Sequence, residues 1–158
     1  MISESDKVFL QRAIELAHTN IDSGGGPFGA VITYNNSIIA ESGNMVRVHN
    51  DPTAHAEVEA IRKACNILKN YSLEHCTIYS SCEPCPMCLG AIYWAKINRI
   101  VFASSRFDAA TAGFDDKLIY DEILLPIAQR TVTTVSVPLQ IADDVFKKWI
   151  EFDNKLRY

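Results

Sequence analysis

Cys76-Thr77-Ile78-Tyr79-Ser80-Ser81-Cys82-Glu83-Pro84-Cys85-Pro86-Met87-Cys88-Leu89-Gly90-Ala91-Ile92-Tyr93-Trp94-Ala95 reads as a short strand, a turn and a helix. Cys76 to Ser81 is the strand. Pro84 to Ala95 is the helix, and prolines suit a helix start, where a missing N–H costs little. Cys85 and Cys88 are three apart, so a first turn places both thiols on one face. A second strand candidate, Arg99 to Ala103, follows. Upstream, Ala54 to Leu68 reads as a helix with Val58, Ile61, Cys65 and Leu68 on one stripe.

Further out, Leu10, Ala13, Ile14, Ala17 and Ile21 recur at helical spacing, which predicts an amphipathic helix from about Ser5 to Asp22. Gly24-Gly25-Gly26-Pro27 ends it. Phe28 to Tyr34 and Ser37 to Ser42 are strand candidates. Asn35-Asn36 between them tolerates positive φ, so they form a hairpin candidate. Residues 104 to 116 read as a loop, Leu118 to Leu124 as a short helix and Val132 to Val137 as a fifth strand. Val145, Trp149, Phe152 and Leu156 give the final helix an apolar stripe. A hairpin followed by helix–strand alternation implies an α/β sandwich over a mixed sheet.

At 158 residues, one domain spanning 1–158 is expected. The net charge of −4 argues against a nucleic-acid binder, whose footprint is usually basic. Five cysteines, three of them within seven residues, suit metal binding in a reducing compartment better than a disulfide framework. The polar, acidic start is not that of a secretory signal, and no run approaches a membrane span. A cytoplasmic protein is expected.

His55-Ala56-Glu57 and Pro84-Cys85-Pro86-Met87-Cys88 together offer one imidazole, two thiols and a spare carboxylate. Three such ligands hold zinc and leave a fourth position for water. His55, like Cys85, falls near a helix start, where free N–H groups favour anions. On an ideal helix, side chains two apart point about 200° apart, so Glu57 suits a different job from His55. A proton shuttle is that job. A closed structural site with Cys82 as fourth ligand is the alternative, giving a zinc-stabilised interaction domain without catalysis. Cys65 reads as core. His18, His49 and His75 read as surface residues.

H-x-E with P-C-x-x-C is the recognised signature of zinc-dependent base deaminases. The chain resembles the cytidine deaminase-like superfamily through Thr53-Ala54-His55-Ala56-Glu57 and Glu83-Pro84-Cys85-Pro86-Met87-Cys88. Within it, the chain is similar to bacterial guanine deaminases. That closer likeness runs through Gly25 to Val31, Asn50 to Glu57, Ser81 to Ala95, Ala112-Gly113-Phe114-Asp115-Asp116 and the tail Asn154-Lys155-Leu156-Arg157-Tyr158.

The resemblance implies a three-layer α/β/α sandwich around a mixed five-stranded sheet. It implies one Zn2+ per subunit on His55, Cys85 and Cys88, with Glu57 as shuttle. Phe28 would stack on a purine base, Asn44 would hydrogen-bond it and Trp94 would line the pocket. Backbone N–H groups near Ala56 would add polar contacts, and Tyr158 would cap the site. Asp116 would accept from the N–H groups of guanine's edge, although Asp115-Asp116 also suits a solvated loop. A homodimer is implied, in a family whose C-terminal segment can be exchanged between subunits, as is conversion of guanine and water to xanthine and ammonia. The same chemistry on guanosine, cytosine or tRNA adenosine is the competing reading.

Overall fold

A computed structural model describes residues 2–155. The chain divides into two compact units, one ending at Lys117 and one beginning at Leu118. The first unit opens with helix α1 (Glu4–Asp22) and the hairpin β1 (Gly29–Tyr34) and β2 (Ser37–Gly43). One helical turn, α2 (Val46–His49), and helix α3 (Ala56–Leu68) follow. Then come β3 (Cys76–Cys82), α4 (Pro86–Trp94), β4 (Arg99–Ser104) and α5 (Arg106–Thr111). Helix α6 (Lys117–Leu124) spans the boundary, and α7 (Gln140–Glu151) lies in the second unit.

The sheet order is β2-β1-β3-β4. β1 runs antiparallel to β2 and β3, whereas β3 and β4 are parallel and joined through α4. The expected hairpin turn is present, with Asn35 and Asn36 at φ 49° and 58°. Strand alternation sorts the core into two layers. Val31, Tyr79 and Val101 face Ala13, Phe9 and Leu10 of α1. Ala30, Ile32, Ile78 and Ile100 pack in the other layer with Ala56, Ala60 and Ala64 of α3 and Ile92 of α4. α1 approaches β1 closely because residue 29 is glycine. A Cβ there would collide with the Ala13 carbonyl oxygen and the Ala17 amide nitrogen.

The expected five-stranded sheet is corrected to four strands among the described residues. Val132 to Val137 form no ladder. Val132, Val135 and Val137 are exposed to 74%, 76% and 67%. An extended segment needs a partner strand for its N–H and C=O groups, and β-branched composition alone does not supply one. The expected loop 104–116 contains α5. Ser105 and Asp108 cap it reciprocally, which satisfies donors at its start.

A partly buried ionic cluster fixes α1 to the sheet. Arg99 donates from Nη1 to Asp6 Oδ1 at 2.6 Å and from Nη2 to Oδ2 at 2.9 Å. The Tyr79 hydroxyl donates to Asp6 Oδ1 at 2.7 Å, and the Ser3 N–H donates to Oδ2 at 2.7 Å. The Arg99 guanidinium, the Ser3 amide and the Tyr79 hydroxyl together hold the Asp6 carboxyl well below its ordinary range. A depressed folded pKa makes the stabilisation complete above the ordinary value of about 3.9 and drains it as pH falls towards the folded value. Asp6→Asn is therefore expected to lower Tm at pH 7. Its gap to wild type should narrow below about pH 4, where unfolded Asp6 also takes up its proton. Calorimetry at pH 7 and pH 3 checks this, and an unchanged gap would sink the assignment.

Candidate metal centre

His55 and Cys85 occupy the N-cap positions of α3 and α4, both with extended backbones. Neither side chain caps its own helix. Both turn instead towards a common point. Asp51 Oδ1 accepts from the Thr53 amide at 2.8 Å and the Thr53 hydroxyl at 2.7 Å, which fixes the loop before His55. Pro86 follows Cys85 directly and sets the start of α4. Cys88 lies one turn on and is fully buried.

His55 Nδ1 lies 3.6 Å from Cys85 Sγ and 3.5 Å from Cys88 Sγ. All three ligand atoms fall within 4.8 Å of one another. With Zn–S of about 2.3 Å and Zn–N of about 2.0–2.1 Å, a tetrahedral angle separates N from S by roughly 3.5 Å. The arrangement therefore fits zinc in distance and in donor chemistry. Hydrogen bonds from Cys88 and then His55 pull the Cys85 thiol down to about 4. The Cys85 hydrogen bond pushes the Cys88 thiol up, and the pair thus holds a thiolate at Cys85.

Cys82 is not in this set. Its thiol faces Ser105, donating to the carbonyl oxygen at 3.5 Å, and burial pushes it up to about 11. A closed sphere through Cys82 therefore has no support in this geometry.

Glu57, in the first turn of α3, is buried beside the ligands. Its Oε2 lies 3.4 Å from Cys88 Sγ, and its Oε1 accepts from the Ser80 hydroxyl at 3.2 Å. Burial raises this carboxyl above its ordinary value, and the Cys85 charge adds to the effect. A buried carboxyl held above its ordinary value is suited to taking and returning a proton in acid–base work.

Phe28, Asn44 and Asp116, also expected at the site, lie between elements. Phe28 meets Phe114 edge to face, with centroids 4.9 Å apart. Gly113, at φ +93°, gives the chain the left-handed turn that leads into Phe114. Asp116 is partly buried. Burial raises its carboxyl, the Cys85 charge raises it further and Arg106 pulls the other way. Asp116 is therefore within electrostatic reach of the thiolate.

Asn44 is buried, and its Oδ1 accepts from the Val46 amide at 3.2 Å. Ala56 opens α3, so its N–H is among the donors without an intrahelical acceptor. Trp94 ends α4, roughly 13 Å along the axis from Cys85 at ~1.5 Å per residue. It is exposed to 70%. Tyr158 lies outside the described residues.

Sequence reading missed three supporting residues. Ser80 is the buried donor to Glu57. Its signal was a polar residue at an inward strand position, between Ile78 and Cys82. Asn20 Nδ2 donates to the Gly26 carbonyl at 2.7 Å and to the Asn44 carbonyl at 2.9 Å. It thereby ties the Phe28 loop to the Asn44 loop. Glu83 Oε2 accepts from the Arg106 amide at 3.0 Å and joins the thiol loop to α5.

A family model for the cytidine and deoxycytidylate deaminase zinc-binding region matches residues 3–104. Guanine deaminase from Bacillus subtilis (strain 168) is 52% identical over 153 residues, covering 96% of this chain and 98% of that protein. The X-ray structure of guanine deaminase from Bacillus subtilis matches with a TM-score of 0.94 over 96% of this chain and 98% of that one. A tRNA-specific adenosine deaminase from Buchnera aphidicola subsp. Baizongia pistaciae (strain Bp) is 46% identical over 101 residues, covering 64% of this chain and 62% of that protein. The metal-ligand geometry, the buried carboxylate and these likenesses agree: this chain belongs to the cytidine and deoxycytidylate deaminase zinc-binding family.

Proposed function

We propose that this protein hydrolyses free guanine to xanthine and ammonia, the 1–158 chain acting as one deaminase domain. The observation that carries the choice of base is Asp116, an acidic group within electrostatic reach of Cys85. Guanine's N1–H and N2–H donors suit an acidic acceptor, whereas cytosine offers fewer donors and an accepting O2. The likeness to the guanine deaminase covers 96% of the chain, against 64% for the tRNA deaminase. The net charge of −4 also weighs against a polyanionic substrate.

His55, Cys85 and Cys88 would hold zinc, which supplies a Lewis acid able to make a water ionise near neutral pH. Glu57 takes a proton from the attacking water through Oε2, the oxygen on the thiol side. The water oxygen bonds to C2 of guanine as Glu57 delivers that proton to N3. Glu57 then moves the second water proton to the exocyclic amine, the C2–N bond breaks and ammonia leaves. Phe28 supplies an aromatic face for the purine. Asn44 presents its amide to the base, its Oδ1 already fixed by Val46. The Ala56 N–H adds a donor, and Asp116 accepts from the N1 and N2 edge.

Trp94 and Tyr158 would complete the pocket in a homodimer. Exposure of Val145, Phe146 and Ile150 on α7 supports a second copy covering them. The protein would act in the cytoplasm. Among the described residues no helix is long and apolar enough to cross a membrane.

Ammonia release should be fastest from guanine in a panel with guanosine, cytosine, adenine and a tRNA anticodon stem-loop. Turnover confined to cytosine or the RNA would overturn the choice of base. Asp116→Asn should lower kcat/KM for guanine by roughly ten- to a hundredfold, the value of a hydrogen bond to a charged group. Loss of the same size on every substrate would deny Asp116 a role in selection.

Chelation should abolish turnover and one equivalent of zinc should restore it, with metal content read by atomic absorption. Activity surviving in verified zinc-free protein would remove the metal from the mechanism. Glu57→Gln should retain zinc and cut kcat by about 10²–10⁴-fold, the range of general acid–base catalysis.

A further inference from the structure

Ser80 sits on β3, paired with Ala30 of β1 on one side and Phe102 of β4 on the other. An interior strand holds it in place. Ser80 is 2% exposed, and its hydroxyl donates to Glu57 Oε1 at 3.2 Å, across the packing between β3 and α3. The neighbouring Ser81 has a different task, accepting from the Gly29 amide at 3.0 Å.

The two oxygens of Glu57 therefore meet different surroundings. Oε1 is held by a hydroxyl on the sheet, whereas Oε2 lies on the thiol side, 3.4 Å from Cys88 Sγ. A glutamate has three side-chain torsions, and a shuttle that swings away between transfers loses the geometry that speeds it. A hydroxyl donating to Oε1 limits that swing. It also survives the reaction cycle. When Oε2 is ionised, Oε1 is a carboxylate oxygen, and when Oε2 carries the proton, Oε1 is the carbonyl oxygen of the acid. Both accept a hydrogen bond.

We propose that Ser80 is a positioning residue for the deamination, anchoring Oε1 so that Oε2 alone carries the proton. The proposal rests on Glu57 being the shuttle. Ser80 needs no contact with substrate or metal, and its own proton stays on its hydroxyl throughout.

Steady-state kinetics on guanine, with zinc content, test this for Ser80→Ala, Ser80→Val and Ser80→Thr beside Glu57→Gln. Threonine and valine have the same shape, and only threonine keeps the hydroxyl. Ser80→Ala and Ser80→Val should lose about ten- to a hundredfold in kcat with zinc retained. Their KM should stay within about twofold of wild type, because the lost interaction acts on the chemical step. Ser80→Thr should recover kcat to within about threefold of wild type, as a retained hydrogen bond requires. Should Ser80→Ala fold poorly, the threonine–valine pair decides. Equal kcat for that pair, or a loss confined to KM, overturns the proposal. Wild-type turnover by Glu57→Gln would instead remove the shuttle reading on which the proposal stands.

Discussion

His55 and Cys85 stand at helix N-caps without capping their helices, and the rest of the site depends on that arrangement. An N-cap side chain ordinarily accepts from its own first-turn amides. Here those amides stay in the neighbourhood of the thiols, and the dipoles of α3 and α4 favour anionic sulfur. Cys88, a turn into α4, draws on the same field. The sheet makes the convergence possible. α4 provides the crossover between parallel β3 and β4, and α3 packs in the same core layer. Asp6, Arg99 and Tyr79 anchor the opposite layer, so the sheet is held from both faces.

The residues proposed for the chemistry and those proposed for base selection sit on different kinds of structure. Glu57 and Cys88 lie in helices packed against the buried sheet, where interior packing leaves little freedom. Phe28, Asn44 and Asp116 lie between elements. Loops need supports, and these have them in Asn20, in the Phe28–Phe114 contact and in the Glu83–Arg106 bond. A rigid centre bordered by braced loops can keep one reaction while its selecting residues differ.

This division also explains what could be read from the sequence. The ligand set and the shuttle candidate were legible because each helix start carries its residues within a few positions. His55 and Glu57 are two apart, Cys85 and Cys88 three. The hairpin was legible because Asn35-Asn36 has few other uses. Ser80 was not, because its meaning lies in Glu57, 23 residues away and on another element. Asn20 and Asn44 are likewise 24 apart. Local signals also misled in one place and were overlooked in another. Val132 to Val137 has strand composition, yet a strand requires a partner that composition cannot name. The Ser105…Asp108 cap was printed in the sequence but lay inside a stretch dominated by loop residues.

Charge links the centre to its proposed substrate. Cys85, Cys88 and Glu57 lie together, and the carboxyls of Glu57 and Asp116 are both raised, with the Cys85 charge contributing to each. A divalent cation and two helix N-termini offset part of that charge when both sulfurs are thiolates. What is left favours ligands that present hydrogen-bond donors and disfavours those that bring phosphate. Guanine's amidine edge is donor-rich and uncharged. On the proposed reading, the same acidity that secures the metal also inclines the pocket towards a free base over a nucleotide, burial and the Cys85 charge both raising the Asp116 carboxyl. In the proposed reaction, metal binding and base selection would share one electrostatic field, although the residues involved lie on separate elements of the fold.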